Sequence, residues 1–159
     1  MPETPTLEDL IAEEKQIVID RFDYGVAWEI GSHIQAEARR RNLPIAIEIA
    51  HGASPVFLAI LPGATPDNSD WTRRKRAVAW RFHKSSLFMR LQAEARGWDF
   101  NQRFRLSATE FIASGGAVPI VVRNAGVVGT AAVSGLPDVE DHAMVVAALR
   151  AQVLPEVES

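Results

Sequence analysis

Apolar residues recur at helical spacing in four segments of the chain, and this spacing predicts four helices. The predicted helices cover roughly 7–21, 26–41, 70–96 and 137–153, the third with or without a break. Thr6, with Asp9 three residues later, forms a capping pattern before the first helix. Pro137 suits the first position of the last helix, and acidic residues follow it where the helix end is positive.

Two pairs of apolar runs have the composition and alternation of strands. The runs are 45–50 with 56–61, and 117–122 with 127–133. Short turns that contain glycine or asparagine separate the members of each pair, so each pair predicts a β-hairpin. Two hairpins among helices predict an α/β fold of the α+β type, with a mostly antiparallel sheet and helices packed against it.

Two segments lack a regular pattern. Residues 62–69 carry nearly every residue type that favours turns, and we expect a surface loop there. Residues 98–114 are compatible with irregular structure, a short strand, or a short helix around 108–113.

Length and composition narrow the class of protein. The chain has 159 residues, of which 47% are hydrophobic and 23% charged, and this predicts one globular domain over 1–159, with 1–22 as a helical extension. It has no cysteine, so disulfides, thiolate metal sites and a cysteine nucleophile are excluded. The net charge of −3 and the absence of a long apolar run or signal-like start predict a cytoplasmic protein that binds neither nucleic acid nor membrane.

Glycines and small residues towards the C-terminal end form an ordered pattern. Gly115-Gly116 precedes a strand, Ser134-Gly135 follows the next, and Asp141-His142 precedes an alanine-rich helix. In order and spacing, this pattern resembles the C-terminal signature of the haem-degrading GlcG/HbpS-like domain family. Segments 43–47 and 71–86 resemble the branch of largely uncharacterised proteins in that family, and the resemblance covers roughly 24–150.

The resemblance implies that the chain binds haem or a related tetrapyrrole, assembles as a homo-oligomer of at least two copies, and degrades its ligand through iron redox chemistry. The signature glycines themselves have a sufficient explanation in backbone geometry, so they mark the fold rather than the chemistry.

His83 is the candidate ligand of haem iron among the four histidines. The basic, aromatic helix around it could supply cations for the propionates and apolar surface for the macrocycle. A surface or interface histidine is the competing interpretation. His51 follows a strand beside a turn, and His142, in the first turn of the last helix, is expected to be exposed or to cap that helix.

The basic helix supplies further candidate binding residues. They are Arg73, Arg76, Trp80, Lys84, Ser85 and Ser86. Consecutive basic residues of a helix point in different directions, so only part of the run 73–76 can meet one ligand, and a solvated or interface helix is the alternative.

Three functions therefore remain open. The first is a small-molecule-binding protein for haem or a tetrapyrrole, with His83 as candidate iron ligand. The second is an enzyme on a small organic acid or a peptide-like substrate, with His83, Arg76 and Ser85 or Ser86 near one pocket. The third is a structural or partner-binding oligomer, in which exposed Trp71 and Trp80 and the basic residues form an interface. The chain has neither a nucleophile-elbow pattern nor a phosphate-binding glycine loop, so no catalytic residue is assigned.

Overall fold

Four strands form one antiparallel sheet in a computed structural model of the chain, which describes residues 3–154. The strand order is β2-β1-β4-β3, so β1 and β4 pair in the centre and join the two hairpins. The strands are β1 (Ala46–His51), β2 (Ser54–Ile60), β3 (Ala117–Val122) and β4 (Gly126–Ser134). Both predicted hairpins and the α+β fold are confirmed.

Six helices accompany the sheet within the described residues. They are α1 (Leu7–Gln16), α2 (Tyr24–Arg40), α3 (Pro66–Phe82), α4 (Ser86–Arg96), α5 (Phe100–Phe104) and α6 (Asp138–Arg150). No helix in residues 3–154 is both long and apolar enough to cross a membrane. The predicted domain over 1–159 includes residues 1–2 and 155–159, which lie outside the described residues, and it stays a prediction.

The main hydrophobic core lies between one face of the sheet and helices α2 and α6. Ile47 and Ile49 of β1 and Val133 of β4 are fully buried there, against the apolar stripe of α2 that the 3.6-residue period predicts. Helix α3 crosses the opposite face, over β1, β4 and β3. Ala79 of α3 meets alanines of β3 and β4, and these small side chains allow the helix to approach the sheet closely.

The first helix is shorter than predicted because the chain leaves it to pair with the sheet. The chain leaves the helix at Ile17, and Ile19 lies beside β3, where its N–H donates to the Val121 carbonyl at 3.0 Å. Ile17 and Ile19 are buried on alternate positions. The apolar residues that seemed to continue the helical pattern therefore lie beyond the helix, and the predicted end at Arg21 is wrong.

The third predicted helix is two helices with an earlier start. Thr65 and Asn68 form a reciprocal cap, and Pro66 occupies the first helical turn, so the predicted loop over 62–69 ends at Thr65. His83 adopts a left-handed conformation, with φ of 55°, which ends α3, and the Ser85 side chain then caps α4. In the undecided segment the structure has α5, whereas 108–113 forms neither a strand nor a helix.

Gly129 allows β4 to pair closely with β1. A Cβ atom at this position would collide with the Ala50 carbonyl oxygen, which is backbone and cannot turn away. We predict that Gly129→Ala lowers the free energy of unfolding by roughly 1–3 kcal/mol, as overpacking does elsewhere. Gly25→Ala, in the first turn of α2, is the control and changes stability by at most about 1 kcal/mol. Urea unfolding measures both variants, and equal stability of the two would contradict this account.

Candidate functional site

A cavity of about 250 Å³ lies beside the outer edge of β3. Its walls come from α1, from the segment that follows α1, from the junction of α3 and α4, from β3 and from α6. Most of the apolar lining is provided by Leu10, Ile17, Val18, Val118, Pro119 and Val121. Its polar lining consists of Glu13, Glu14, Lys15, His83, Ser85 and His142.

The cavity lies where hydrogen bonding along the outer edge of β3 is interrupted. On one side of the gap, the Ser86 hydroxyl accepts from the Ala117 N–H at 3.0 Å and lies 3.4 Å from the Ala117 carbonyl, to which it donates. On the other side, Ile19 bonds to Val121 and to the N–H of Arg123. Pro119 lies between these two positions and has no N–H to offer.

His83 lies at the mouth of the cavity and is exposed. Its left-handed conformation turns the chain between α3 and α4, and its ring centroid lies 6.0 Å from that of Trp80. A solvent-accessible imidazole beside an apolar cavity can coordinate a metal ion that a ligand brings with it.

His142 lies inside the protein, with 4% of its surface exposed, so the expectation that it is exposed or caps the helix is wrong. Its Nε2 is 2.6 Å from a Glu13 carboxylate oxygen, and its Nδ1 is buried with no hydrogen-bond partner among the described residues. In the neutral ring, the Nε2–H donates to Glu13. Helix α1 covers the start of α6 and buries this histidine, which the sequence of α6 alone could not indicate.

Polar contacts tie α1 over the cavity. The Lys84 ammonium donates to both carboxylate oxygens of Glu14, at 3.0 and 3.1 Å. The Arg150 guanidinium donates to the Gln16 side chain at 2.8 Å. Together with the buried Leu10, these bonds hold the helix that supplies about a third of the lining residues.

The predicted binding residues separate into two groups. His83 and Ser85 line the cavity, Lys84 reaches it through Glu14, and Trp80 lies beside His83. Ser85 also caps α4, and Ser86 is buried against β3.

The two arginines of the predicted set lie away from the cavity lining. Arg73 pairs with Asp70 and Glu110 near the surface. Arg76 pairs with Glu48 at 2.6 Å and donates to the Ala53 carbonyl. A ligand-binding role for Arg73 and Arg76 stays a prediction.

Lys75, in the middle of the basic run, is 2% exposed rather than solvated. Its ammonium donates to Asp141 Oδ2 at 3.0 Å and to the Val133 carbonyl at 3.3 Å. Gly116 has φ of 137°, and a Cβ there would come within 2.9 Å of the ammonium nitrogen, so glycine leaves the space that this pair needs.

Asp141 also holds the turn before α6, because its Oδ1 accepts from the Leu136 N–H at 3.0 Å. Burial raises the pKa of Asp141 to about 6, and the Lys75 ammonium and nearby backbone amides oppose this rise.

A second ion pair lies under the same helix. Glu48 of β1 is 3% exposed, and it accepts from the Thr72 hydroxyl besides pairing with Arg76. Sequence reasoning missed Glu48, Lys75 and Asp141, although an acidic residue in an otherwise apolar strand was a usable signal at Glu48. These residues fix α3 to the sheet and so position His83 at the end of α3.

Comparison with known proteins decides the family. The family model described as "Haem degrading protein HbpS-like" matches residues 22–150. The chain belongs to the HbpS-like family. The resemblance seen in the sequence is thereby confirmed.

Relatives of this HbpS-like chain extend over nearly its whole length. A UPF0303 protein of Streptomyces avermitilis is 46% identical over 145 residues, which are 91% of this chain and 89% of that protein. The crystal structure of Ybr137w protein has a TM-score of 0.85 at 30% identity and covers 94% of this chain and 88% of its own. The PduOC:heme complex has a TM-score of 0.67 at 13% identity, over 80% and 94% of the two chains, and shows the shared fold alone.

The buried pair in this HbpS-like chain leads to a stability prediction. We expect Lys75→Met to lower the free energy of unfolding by about 3–5 kcal/mol at pH 7, because it leaves the Asp141 carboxylate buried without its cation. The double variant Lys75→Met with Asp141→Asn keeps the acceptor for Leu136 and should recover much of the loss. Urea unfolding of the single and double variants measures this, and a double variant no more stable than Lys75→Met would contradict it.

Asp141 should also make stability depend on pH. The pKa of Asp141 is 3.8 in the unfolded chain and about 6 in the folded protein. At a pH between these two values, folded Asp141 keeps a proton that unfolded Asp141 has lost. Raising the pH through this window therefore favours unfolding. We predict that the free energy of unfolding of the wild type, minus that of Asp141→Asn, falls by up to about 3 kcal/mol from pH 4 to pH 7. A difference that is constant or rises with pH would rule this out.

Proposed function

We propose that this HbpS-like protein binds haem or a related tetrapyrrole at the β3-edge cavity, with His83 as the iron ligand. The observation that carries the proposal is an exposed imidazole at the mouth of a largely apolar cavity. Histidine is a common axial ligand of haem iron. The description of the family as haem-degrading, and the likeness in fold to PduOC in its complex with heme, support the same class of ligand.

The size of the cavity limits how haem could bind. An apolar cavity of about 150 Å³ holds a benzene molecule, and drug-sized ligands occupy about 300–1,000 Å³. At about 250 Å³ the cavity therefore fits one edge of the macrocycle rather than all of it. The remainder would lie across the mouth, where His83 is exposed.

The charges at the mouth suit the propionates of a haem. Lys15 lines the cavity and is exposed, and the Lys84 ammonium bonds to Glu14 of the cavity lining. Ammonium groups form charge-assisted hydrogen bonds with carboxylates. Bound haem would supply iron redox chemistry for its own degradation, whereas this chain would hold and orient it.

We also propose that the protein assembles with itself. A haem held only by its edge leaves apolar surface in water, and a second copy could cover that surface. The outer strand β2 supports self-association, because Leu58 and Ile60 expose 54% and 43% of their surface on a strand whose outer edge is unpaired within residues 3–154.

The enzymatic alternative receives less support from the geometry. It needs a hydroxyl and Arg76 near His83, but Arg76 pairs with Glu48, and Ser85 and Ser86 bond to backbone groups. The partner-binding alternative relied on exposed Trp71 and Trp80, and both are only partly exposed.

A hemin titration tests the iron ligand. We expect a saturable shift of the Soret band with the wild type and a loss of affinity of about tenfold or more in His83→Asn, because the axial ligand is removed. Asparagine tolerates the left-handed conformation at this position, so the backbone should be preserved. His33→Asn, on the exposed surface of α2, is the matched control and should bind as the wild type does.

The proposal fails if hemin gives no saturable shift with the wild type. His83 is not the iron ligand if His83→Asn and His33→Asn bind hemin equally well.

A further inference from the structure

The outer edge of β3 offers one unused backbone acceptor to the cavity. Gly116 bonds inward to Val133 of β4, whereas Ala117 and Val121 bond outward, to Ser86 and Ile19. Backbone groups alternate in direction along a strand, so the Pro119 carbonyl also points outward. Among the described residues, neither a side chain nor a neighbouring segment donates to it.

Because residue 119 is a proline, this position of the strand edge has a hydrogen-bond acceptor but no donor. An ordinary residue at an open sheet edge presents a donor and an acceptor, but Pro119 presents the carbonyl alone. The carboxylates of Glu13 and Glu14 lie in the same cavity, and each already accepts from His142 or Lys84. The lining around Pro119 therefore offers acceptors, and a ligand that pairs with the open carbonyl must bring a donor.

The volume and lining of the cavity set the size of that ligand. About 250 Å³ exceeds the space that benzene needs and falls below that of a drug-sized molecule. Val18, Val118 and Val121 give apolar contact at the sides. One planar ring system fits these walls.

We infer that the cavity binds a planar ring that carries an N–H group, with the N–H donating to the Pro119 carbonyl. A donor-bearing ring satisfies both features of the cavity, because it fills apolar space and pairs the one open acceptor that we find at the described β3 edge.

If the ligand is a tetrapyrrole, as the proposed function holds, the need for an N–H donor distinguishes a closed macrocycle from an open-chain tetrapyrrole. This extension rests on the proposed function. The four pyrrole nitrogens of haem bind iron and carry no hydrogen. An open-chain tetrapyrrole has free N–H groups, and its terminal ring can enter a narrow cavity by itself. The cavity therefore suits the terminal ring of the open chain better than the edge of haem.

Indole and 1-methylindole test the ring site, because they differ in the N–H alone. Titration of the ¹⁵N-labelled protein, followed by amide chemical shifts, should show indole binding about tenfold or more tightly than 1-methylindole, since the methylated ring leaves the buried carbonyl unpaired. The largest shifts should occur at Val118, Val121 and Ser85. Shifts at these amides locate the site in the wild type without any variant.

Val18→Phe should fill the cavity and weaken indole binding about tenfold or more, whereas Val56→Phe, in the half-buried outer strand on the far side of the sheet, should leave it unchanged. Equal affinity for the two indoles, absence of indole binding, or shifts confined to another surface would each overturn the inference.

Titration with biliverdin and hemin separates this inference from the proposed function. We expect biliverdin binding to be weakened by Val18→Phe and to persist in His83→Asn, because it needs the ring site and no iron ligand. Binding of hemin through His83 without any binding of biliverdin would overturn the extension to open-chain ligands and leave the proposed function standing. Binding of biliverdin without hemin would overturn His83 as an iron ligand and leave the binding of an open-chain tetrapyrrole standing.

Discussion

The backbone groups at the outer edge of β3 must find hydrogen-bond partners, and this constraint organises the surroundings of the candidate site. Two groups meet it directly, the Ser86 hydroxyl at Ala117 and the segment through Ile19 at Val121, whereas Pro119 between them removes the donor and leaves its carbonyl open. The two groups bring α4 and the segment after α1 against the edge at two separate points. The space that they enclose is the cavity.

The polar groups under α3 determine where the mouth of that cavity lies. Lys75 and Arg76 reach the sheet from consecutive positions of the helix and meet Asp141 of α6 and Glu48 of β1. A buried ion pair contributes little net stability, but its geometry is demanding, and losing one partner is costly. These pairs fix the rotation of α3 on the sheet, and His83 ends that helix. The exposed imidazole is thus held by groups that lie outside the cavity lining.

The sequence predicted what depends on local periodicity. Alternation indicated both hairpins, and glycines that need close approach or a positive φ identified the family signature. It failed where a distant segment decides the outcome. Ile17 and Val18 fit the helical spacing, and only the pairing of the next residue, Ile19, with β3 shows that the helix has ended before them. Lys75 was indistinguishable from its arginine neighbours until α3 was placed on the sheet, and His142 was buried by a helix more than a hundred residues away in the chain.

Among the candidate residues, His83 and Ser85 lie at the cavity. The arginines were chosen by charge alone, and charge cannot distinguish a residue that contacts a ligand from one in an internal ion pair.

A crystal structure of the protein grown with indole tests the central claim, that the open acceptor at the β3 edge makes the cavity a binding site. We expect a planar ring between α1 and β3, with its nitrogen at about 2.7–3.2 Å from the Pro119 carbonyl oxygen. A ring bound elsewhere, or a cavity closed by movement of α1 onto β3 with the Pro119 carbonyl bonded to the protein itself, would contradict it.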